Sequence, residues 1–251
     1  DYDKNFYNKV DNIYINNIFD GSDDIKKRIF FPNPNQDTLD LGCGIGFWTN
    51  FIYENYTDKI IAADISEKSL KIAKNRYKIN NNIKFQLENA EKLSFPNQYF
   101  DHINCQGVIH HTEKTNDCAK EIYRVLKIKG TCSISVYYDN FFIRHYNLLF
   151  IFFKLFFKLF GIYKGRGRNF ANLPKNVDDI VRLYDGVDNP IGKSYSKKEF
   201  MEILVKAGFS KKNIKFKFYY FPFRFLGIKL KLLHNLLVYL FPFLIIANIT
   251  K

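Results

Sequence analysis

The stretch Thr38-Leu-Asp-Leu-Gly-Cys-Gly-Ile-Gly46 constrains the fold most, because an apolar run leads directly into three alternating glycines. Glycine adopts positive φ and lets the backbone approach a ligand closely, so this stretch predicts a strand, a sharp turn and a helix from about Phe47. A dinucleotide fingerprint would have its third glycine at position 47, where this chain has Phe47. The spacing argues against a pyrophosphate cofactor and leaves room for a nucleoside with a bulkier, zwitterionic tail.

Strand-like and helix-like patterns alternate as far as position 138. Strands are predicted at 38–41, 59–63, 82–87, 100–105 and 130–138, and helices from 47, over 67–79 and over 115–126. Two more strands are predicted at 213–221 and 243–250, after a helix over 196–207 that has a capping box of Ser196 and Glu199 and ends at Gly208. This order predicts an α/β fold in which helices cover both faces of a parallel sheet.

A carboxylate ends the second strand, in Ile60-Ile-Ala-Ala-Asp64. The spacing from Gly46 places Asp64 at the carboxyl end of a neighbouring strand, where open α/β sheets bind their ligands. A carboxylate there can accept hydrogen bonds from both hydroxyls of a ribose. The alternative is that Asp64 caps the next helix, a role that Ser66 can fill equally well.

Five motifs occur in the order found in one family: "LDLGCGIG", "AADIS", "ENAEKLSF", "FDHINCQGVIHH" and "EIYRVLKIKG". Together they resemble the class I methyltransferases that use S-adenosylmethionine (SAM), within the small-molecule group of ubiquinone and menaquinone methylases. The resemblance implies an α/β, Rossmann-like, seven-stranded and mostly parallel sheet with helices on both faces and an antiparallel last strand. A helical, aromatic-rich cap is expected in addition, and SAM is the implied cofactor.

The resemblance also implies roles for individual residues. Asp40 and the turn of Gly42, Cys43, Gly44 and Gly46 would hold the methionine part of SAM, and Asp64 the ribose. Ile65 would pack on the adenine, Asn89 and Ala90 would meet its edge, and Gln106 and Gly107 would line the wall beside the sulfonium. The chain departs from the family twice, with Asn89 in place of an aspartate and Ile128-Lys129-Gly130 in place of Pro-Gly-Gly.

Methyl transfer needs alignment of the acceptor, and a base only if the acceptor must lose a proton. His110 and His111 follow the fourth strand and are the candidate bases, and the alternative is that they are structural, as the second of these positions often is in the family. Acceptor-pocket candidates are His111, Tyr7, Tyr14, Tyr137, Arg144, Tyr184 and Tyr195, and plain packing would explain each of them as well.

The resemblance and the pattern divide the chain into four parts. Residues 1–36 are expected to form a helical cap over the cofactor, 37–138 the SAM-binding core, 139–195 an acceptor-binding lid, and 196–251 the rest of the sheet, with a second apolar insertion at 222–240. The aromatic-rich stretches 141–160 and 223–240 suggest a small, lipophilic or lipid-linked acceptor, an anionic membrane surface, or simply a buried helix pair. Neither stretch has the composition of a membrane span.

The net charge of +13 leaves other classes open. A nucleic-acid methyltransferase is disfavoured because Gln106-Gly-Val-Ile stands where an Asn/Asp-Pro-Pro-aromatic loop is expected, and a non-catalytic SAM-binding subunit is a further alternative. Cys105 suggests thiol or arsenic chemistry, but the four cysteines form no C-x-x-C pair or zinc-like grouping, so no metal is expected. Unpaired thiols without a secretory signal predict a cytoplasmic protein, peripheral on the inner membrane face if it meets lipid; the oligomeric state is not predicted.

Overall fold

The computed structural model describes residues 11–12, 15, 22–77, 82–145, 181, 190–219, 236 and 238–251. Its strands are β1 (Thr38–Leu41), β2 (Ile60–Asp64), β3 (Lys84–Leu87), β4 (Phe100–Gln106), β5 (Leu126–Tyr138), β6 (Ser194–Tyr195), β7 (Ile214–Tyr219) and β8 (Leu244–Thr250). The helices are α1 (Ser22–Arg28), α2 (Phe47–Asn55), α3 (Glu67–Arg76), α4 (Thr115–Val125), α5 (Phe141–Arg144) and α6 (Lys197–Ala207).

The strands form one sheet in the order β3-β2-β1-β4-β5-β8-β7, and the short β6 pairs with β5. The strands β1 to β5 are parallel to one another, whereas β8 is antiparallel to both β5 and β7. The predicted Rossmann-like sheet with an antiparallel last strand is therefore confirmed. Because β1 to β4 point the same way, their carboxyl ends meet along one edge, the carboxyl edge of the sheet.

Local sequence signals explain where the helices begin and end. Ser66 caps α3 by accepting a hydrogen bond from the backbone of Ser69, and Ser196 and Glu199 form the predicted capping box at the start of α6. Gly208 ends α6 in a left-handed conformation. The strands β1, β4 and β8 and the second half of β5 are almost wholly buried, as expected for strands covered by helices on both faces.

Two elements differ from the sequence-based prediction. The strand β6 lies in the stretch 139–195, for which no strand is predicted, because two residues are too few to produce an alternating pattern. The strand β5 begins at Leu126 rather than at position 130, with a register shift against β4 between Phe100 and His102. The expected aromatic cap falls mostly outside the described residues, as does most of the stretch 222–240.

The helix α1 covers one face of the sheet and was not predicted as a separate element. Ile25 and Ile29 are buried in a cluster with Trp48, Phe51 and Tyr137. The buried Asn248 of β8 holds the end of α1, because its side chain donates to the carbonyl of Arg28 and accepts from Ser133 and from the backbone of Phe30.

Candidate functional site

The residues that the sequence predicts as a cofactor site lie along the carboxyl edge of the sheet. The register of β1 against β2 and β4, and of β2 against β3, brings the four strand ends side by side. The segments that follow these ends are the glycine turn after β1, Asp64 and Ile65 after β2, Asn89 and Ala90 after β3, and Gln106 and Gly107 after β4. Residues far apart in sequence therefore lie along a single edge.

The glycine turn after β1 is held tightly against β2. The backbone nitrogens of Gly42 and Cys43 both donate to the carbonyl of Ala63, at 2.7 and 3.0 Å. Gly42, Gly44 and Gly46 all have positive φ, of 72°, 54° and 88°. A Cβ added at Gly42 would meet Val108, whereas one at Gly44 would meet nothing within 4 Å. The middle of the turn therefore faces open space, as close approach by a ligand requires.

Asp64 connects the glycine turn with the start of α3. One carboxylate oxygen accepts from the backbone nitrogen of Gly44 and the other from that of Ser66, both at 2.8 Å. An ionised carboxylate can accept about four hydrogen bonds, so half of this capacity is available to a ligand. The capping alternative for Asp64 is not needed, because the Ser66 side chain caps α3.

Asp40 lies below the turn and is 1 % exposed. Its carboxylate accepts from the Thr49 hydroxyl at 2.6 Å and from the Asn104 amide at 2.8 Å. Burial raises the pKa of Asp40 to about 6, although both hydrogen bonds favour the ionised form. These contacts connect β1 to α2 and to β4. A direct contact between Asp40 and the methionine part of SAM stays a prediction.

The residues expected around an adenine combine an apolar surface with a polar rim. Ile65 is 70 % exposed, unusual for an isoleucine beside a buried strand. Leu87, at the end of the neighbouring β3, is also exposed. Asn89 is exposed and uses its side-chain oxygen to accept from the backbone of Glu91, while Ala90 is buried. Each of these exposed apolar side chains leaves a surface on which a flat ring could pack.

Gln106 and Gly107 end β4 beside the glycine turn. The Gln106 amide donates to the Asn104 side chain and to the carbonyl of Ser133, both at 3.1 Å. Gly107 has a φ of 76°, and an added Cβ would meet nothing within 4 Å. Like Gly44, it presents bare backbone to open space.

The two histidines occupy different surroundings. His110 is 1 % exposed, and its ring lies edge-on to that of Tyr137, with centroids 4.9 Å apart. His111 is half-buried, and its Nδ1 donates to the carbonyl of Ile191 at 2.7 Å. A carbonyl can only accept, so Nδ1 carries the proton of the neutral ring and Nε2 is the basic nitrogen. Of the two, His111 has the geometry of a base oriented by a partner.

The described candidate acceptor residues have different immediate contacts. Tyr137 is buried in the cluster with α1, the hydroxyl of Tyr195 lies 2.9 Å from that of Thr115, and Arg144 pairs with Asp139 on the exposed α5. Tyr7, Tyr14 and Tyr184 lie outside the described residues. The part of these side chains in acceptor binding stays a prediction.

Thiol and metal chemistry have little support in the described part of the chain. Cys43, Cys105, Cys118 and Cys132 are all free and buried, and burial raises the pKa of each thiol. Raised pKa values disfavour the reactive thiolate. Among the described residues, no group of three or more His, Cys, Asp or Glu side chains could hold a metal ion.

Several supporting residues were not predicted. Thr49 and Asn104 hold Asp40, while the Tyr77 hydroxyl and the Arg76 guanidinium donate to the carbonyls of Gly46 and Ile45. Arg76 also forms an ion pair with Asp11, which connects the N-terminal segment to the back of the glycine turn. No sequence motif marks these residues, because their partners lie far away in the chain.

Sequence comparison places the site within a known domain. Residues 39–134 match the family model described as a methyltransferase domain. The chain is 33 % identical over 94 residues to an uncharacterised methyltransferase, YcgJ, of Bacillus subtilis, with 37 % of each chain covered. It is 38 % identical over 96 residues to the demethylmenaquinone methyltransferase of Lactococcus lactis, covering 37 % of this chain and 38 % of that one. The chain thus spans less than half the length of these curated relatives.

Solved structures share the fold over most of the chain. A SAM-dependent methyltransferase from Mesorhizobium loti superposes with a TM-score of 0.59 at 16 % identity, covering 88 % of this chain and 94 % of that one. The [4+2]-cyclase SpnF superposes with a TM-score of 0.56 at 14 % identity, covering 91 % and 78 %. At such low identity the likeness concerns the fold alone, and the site must indicate the chemistry.

Proposed function

We propose that this chain, which carries a class I methyltransferase domain over residues 39–134, transfers a methyl group from S-adenosylmethionine to a small, lipophilic or lipid-linked acceptor. The observation that carries the proposal is the 2.8 Å hydrogen bond from the Gly44 backbone to the Asp64 carboxylate. It holds a glycine turn and a ribose-type carboxylate on adjacent strand ends, the arrangement that grips both ends of an extended nucleoside.

The surroundings of this pair fit SAM. The open space at Gly44 and Gly107 admits the methionine tail and the sulfonium. Exposed Ile65 offers the adenine an apolar surface, and the side-chain oxygen of Asn89 can accept from its amino group. The chain meets the nucleoside with backbone and neutral or acidic groups, which suits a ligand whose reacting centre is a cation.

Bound SAM supplies a methyl group on a positively charged sulfur. Transfer of this methyl group to the lone pair of an acceptor would release S-adenosylhomocysteine. The chain contributes alignment and exclusion of water. Where the acceptor must lose a proton, Nε2 of His111 receives it, because the Ile191 carbonyl fixes the tautomer.

The acceptor class is inferred from the aromatic composition of the sequence that follows β5 and precedes β8. Phe141 to Phe160 contains eight phenylalanines, and in this fold the acceptor is typically bound by additions after the fifth strand. This aromatic composition favours a lipophilic acceptor. The four free thiols are consistent with a reducing, cytoplasmic compartment.

The cofactor assignment is tested at Asp64. Replacing Asp64 by alanine removes the acceptor for two ribose hydroxyls, so we expect SAM affinity to fall by at least about a hundredfold in titration calorimetry. Asp58→Ala is the matched control, because Asp58 is an exposed acid at the opposite end of β2. Unchanged binding in Asp64→Ala would show that the ribose lies elsewhere.

The acceptor is tested by a product screen. The full chain is incubated with methyl-labelled SAM and, separately, with quinols, lipids, small amines and RNA. We expect label in the quinol or lipid arm and none in the RNA arm. SAM binding without labelled product in any arm would favour the non-catalytic alternative, and labelled RNA would favour nucleic-acid methylation.

A further inference from the structure

The loop that carries the two histidines is fastened to the segment that precedes α6. Three alternate residues of that segment, Ile191, Lys193 and Tyr195, contact the loop at 107–114 or the first residue of α4, and they are here called the clamp. The contacts recur at every second residue, which is the period of an extended chain. The loop is therefore held at several points along its length.

Lys193 makes the largest share of these contacts. Its Nζ donates to the carbonyls of Thr112 and Glu113, both at 2.9 Å, and to the Thr115 hydroxyl at 3.5 Å. Its backbone nitrogen donates to the carbonyl of His110 at 3.1 Å. An ammonium group has three N–H donors, so the full donor capacity of the Lys193 side chain is directed to this loop and its junction with α4.

Tyr195 contacts the same junction. The Thr115 hydroxyl donates its only hydrogen to the carbonyl of Ile109 at 3.2 Å. The Tyr195 hydroxyl, 2.9 Å from that of Thr115, is therefore the donor of their shared hydrogen bond. Since Ile109 is fully buried, Thr115 joins the clamp to the core, and the loop is held from both sides.

The contact at His111 depends on where the clamp holds the backbone of Ile191. The carbonyl of Ile191 accepts from Nδ1 of His111 at 2.7 Å. The strand β6 pairs with β5 only at Ser194 and Tyr195, so the hydrogen bonds of the sheet do not reach Ile191. Lys193 lies two residues from Ile191 and fastens this part of the segment to the loop.

We infer that Lys193 is a positioning residue for His111. By holding the Ile191 carbonyl against the loop, it keeps the imidazole in one orientation and in the tautomer that carries its proton on Nδ1. Its consequence for methyl transfer rests on the proposed function, in which Nε2 of His111 receives a proton from the acceptor. The orientation of the ring does not depend on that function.

The test is the NMR resonance of the His111 Nδ1 nitrogen in the full chain, without SAM or acceptor. At about pH 9, where an ordinary imidazole is neutral, the wild type should show a protonated Nδ1. Lys193→Met keeps an apolar stem but removes three donors, and a released imidazole prefers its proton on Nε2. The Nδ1 resonance should therefore move toward the unprotonated position by at least about a third of the difference between the two tautomers.

Amide hydrogen exchange gives a second measurement on the same samples. The backbone nitrogen of His111 donates to the carbonyl of Val108 at 2.8 Å, a bond that lies within the held loop. In Lys193→Met, exchange at this amide should be faster by about tenfold or more, while amides of β1 and β4 keep the wild-type rate. Exchange confined to the loop separates a local release of the histidine from a general loss of stability.

Lys251→Met is the matched control. The Nζ of Lys251 also donates to two carbonyls, those of Tyr123 and Leu126 at 2.6 and 2.8 Å, but it does so at the opposite end of α4. Its replacement should leave the Nδ1 resonance of His111 unchanged. Tyr195→Phe is a milder second variant, because it removes one donor of the clamp and keeps the ring; it should shift the resonance in the same direction by less.

The inference is overturned by an unchanged Nδ1 resonance in Lys193→Met or by an equal shift in Lys251→Met. If Lys193→Met does not fold, Tyr195→Phe decides, and an unchanged resonance there overturns the inference as well. Failure to bind SAM or to form product would contradict the proposed function instead. The two failures are distinguishable, because neither ligand is present when the resonance and the exchange are measured.

Discussion

Gly42 and Gly44 share a left-handed backbone conformation but meet different surroundings. A Cβ at Gly42 would lie 2.2 Å from a methyl of Val108, whereas at Gly44 it would point into open space. Sequence reasoning assigned both residues to ligand binding. The structure separates a glycine required by packing from one that leaves room beside the proposed cofactor.

This difference predicts that alanine at Gly42 mainly lowers stability, whereas alanine at Gly44 mainly weakens SAM binding. Gly42→Ala should lower the free energy of unfolding by about 2–4 kcal/mol, since Val108 and the backbone must move. Gly44→Ala should cost only about 1–2 kcal/mol, for the unfavourable φ, yet weaken SAM binding strongly. Chemical unfolding measures the stability of both variants, and calorimetry measures their affinity for SAM. If Gly44→Ala bound SAM normally, the open space at Gly44 would not be the cofactor site.

His102 is a buried residue with a consequence for stability against pH. It is fully buried in β4, its Nδ1 lies 2.8 Å from the Thr131 hydroxyl, and burial lowers its pKa from 6.5 to about 3. Between these values the unfolded chain binds a proton that the folded chain does not. The free energy of unfolding should therefore decrease as pH falls through this window, by up to about 1.4 kcal/mol per pH unit.

The comparison with His102→Gln isolates this contribution. Asp40 acts in the opposite direction, because its pKa is raised from 3.8 to about 6 and the folded chain binds the extra proton between those values. At each pH, the free energy of unfolding of the variant, measured with urea, is subtracted from that of the wild type. The contribution of Asp40 is the same in both proteins and therefore cancels. This difference in the free energy of unfolding should be constant above pH 6.5 and should decrease as the pH is lowered from 6.5. A flat difference throughout would mean that His102 titrates normally in the fold.

At the scale of elements, one side chain joins α1 to the antiparallel part of the sheet. Asn248 is 2 % exposed and connects β8 to Ser133 of β5 and to the end of α1. Arg28 adds a 2.8 Å hydrogen bond to the Phe218 carbonyl of β7. The helix therefore has direct polar contacts with β8 and β7, and Asn248 links it further to β5, besides its buried isoleucines.

Removing this junction should destabilise the fold. Asn248→Ala leaves the Arg28 carbonyl, the Phe30 amide and the Ser133 hydroxyl without their partner, so we expect a loss of about 2–4 kcal/mol in denaturant unfolding. The exposed Asn116→Ala should stay within about 0.5 kcal/mol of the wild type. A small effect at Asn248 would indicate that α1 is held by apolar packing alone.

The elements also show where sequence patterns succeed. The strands β1 and β4 begin at the predicted residues, and α6 starts and ends at its predicted caps, because burial patterns and capping are local signals. The strand β6 could not be predicted, since it exists through pairing of Ser194 and Tyr195 with Tyr137 and Tyr138. Its position is fixed by contacts such as that of the Lys193 side chain with the carbonyls of Thr112 and Glu113.

At the scale of the whole molecule, the proposed site joins segments that unfold together. A ligand that spans the ends of β1, β2, β3 and β4 binds only the folded state and should stabilise the chain by mass action. At about one hundred times its dissociation constant, S-adenosylhomocysteine should add about 2.7 kcal/mol, a rise of roughly 5–10 °C in Tm. Adenosine, which lacks the amino-acid tail, should give less, and NAD none. A shift with NAD and none with S-adenosylhomocysteine would contradict the proposed cofactor.

The sequence by itself determined the order of strands and helices, the glycine turn and the carboxylate after β2, because these depend on residues that are neighbours in the chain. Only the tertiary structure decided that Asp40 is held by Thr49 and Asn104 and that His111 is oriented by Ile191. The Asp40–Asn104 and His111–Ile191 contacts span 64 and 80 residues of chain. Such contacts exist only once the sheet has brought distant segments together, and the periodicity of the sequence does not record which side chains then meet.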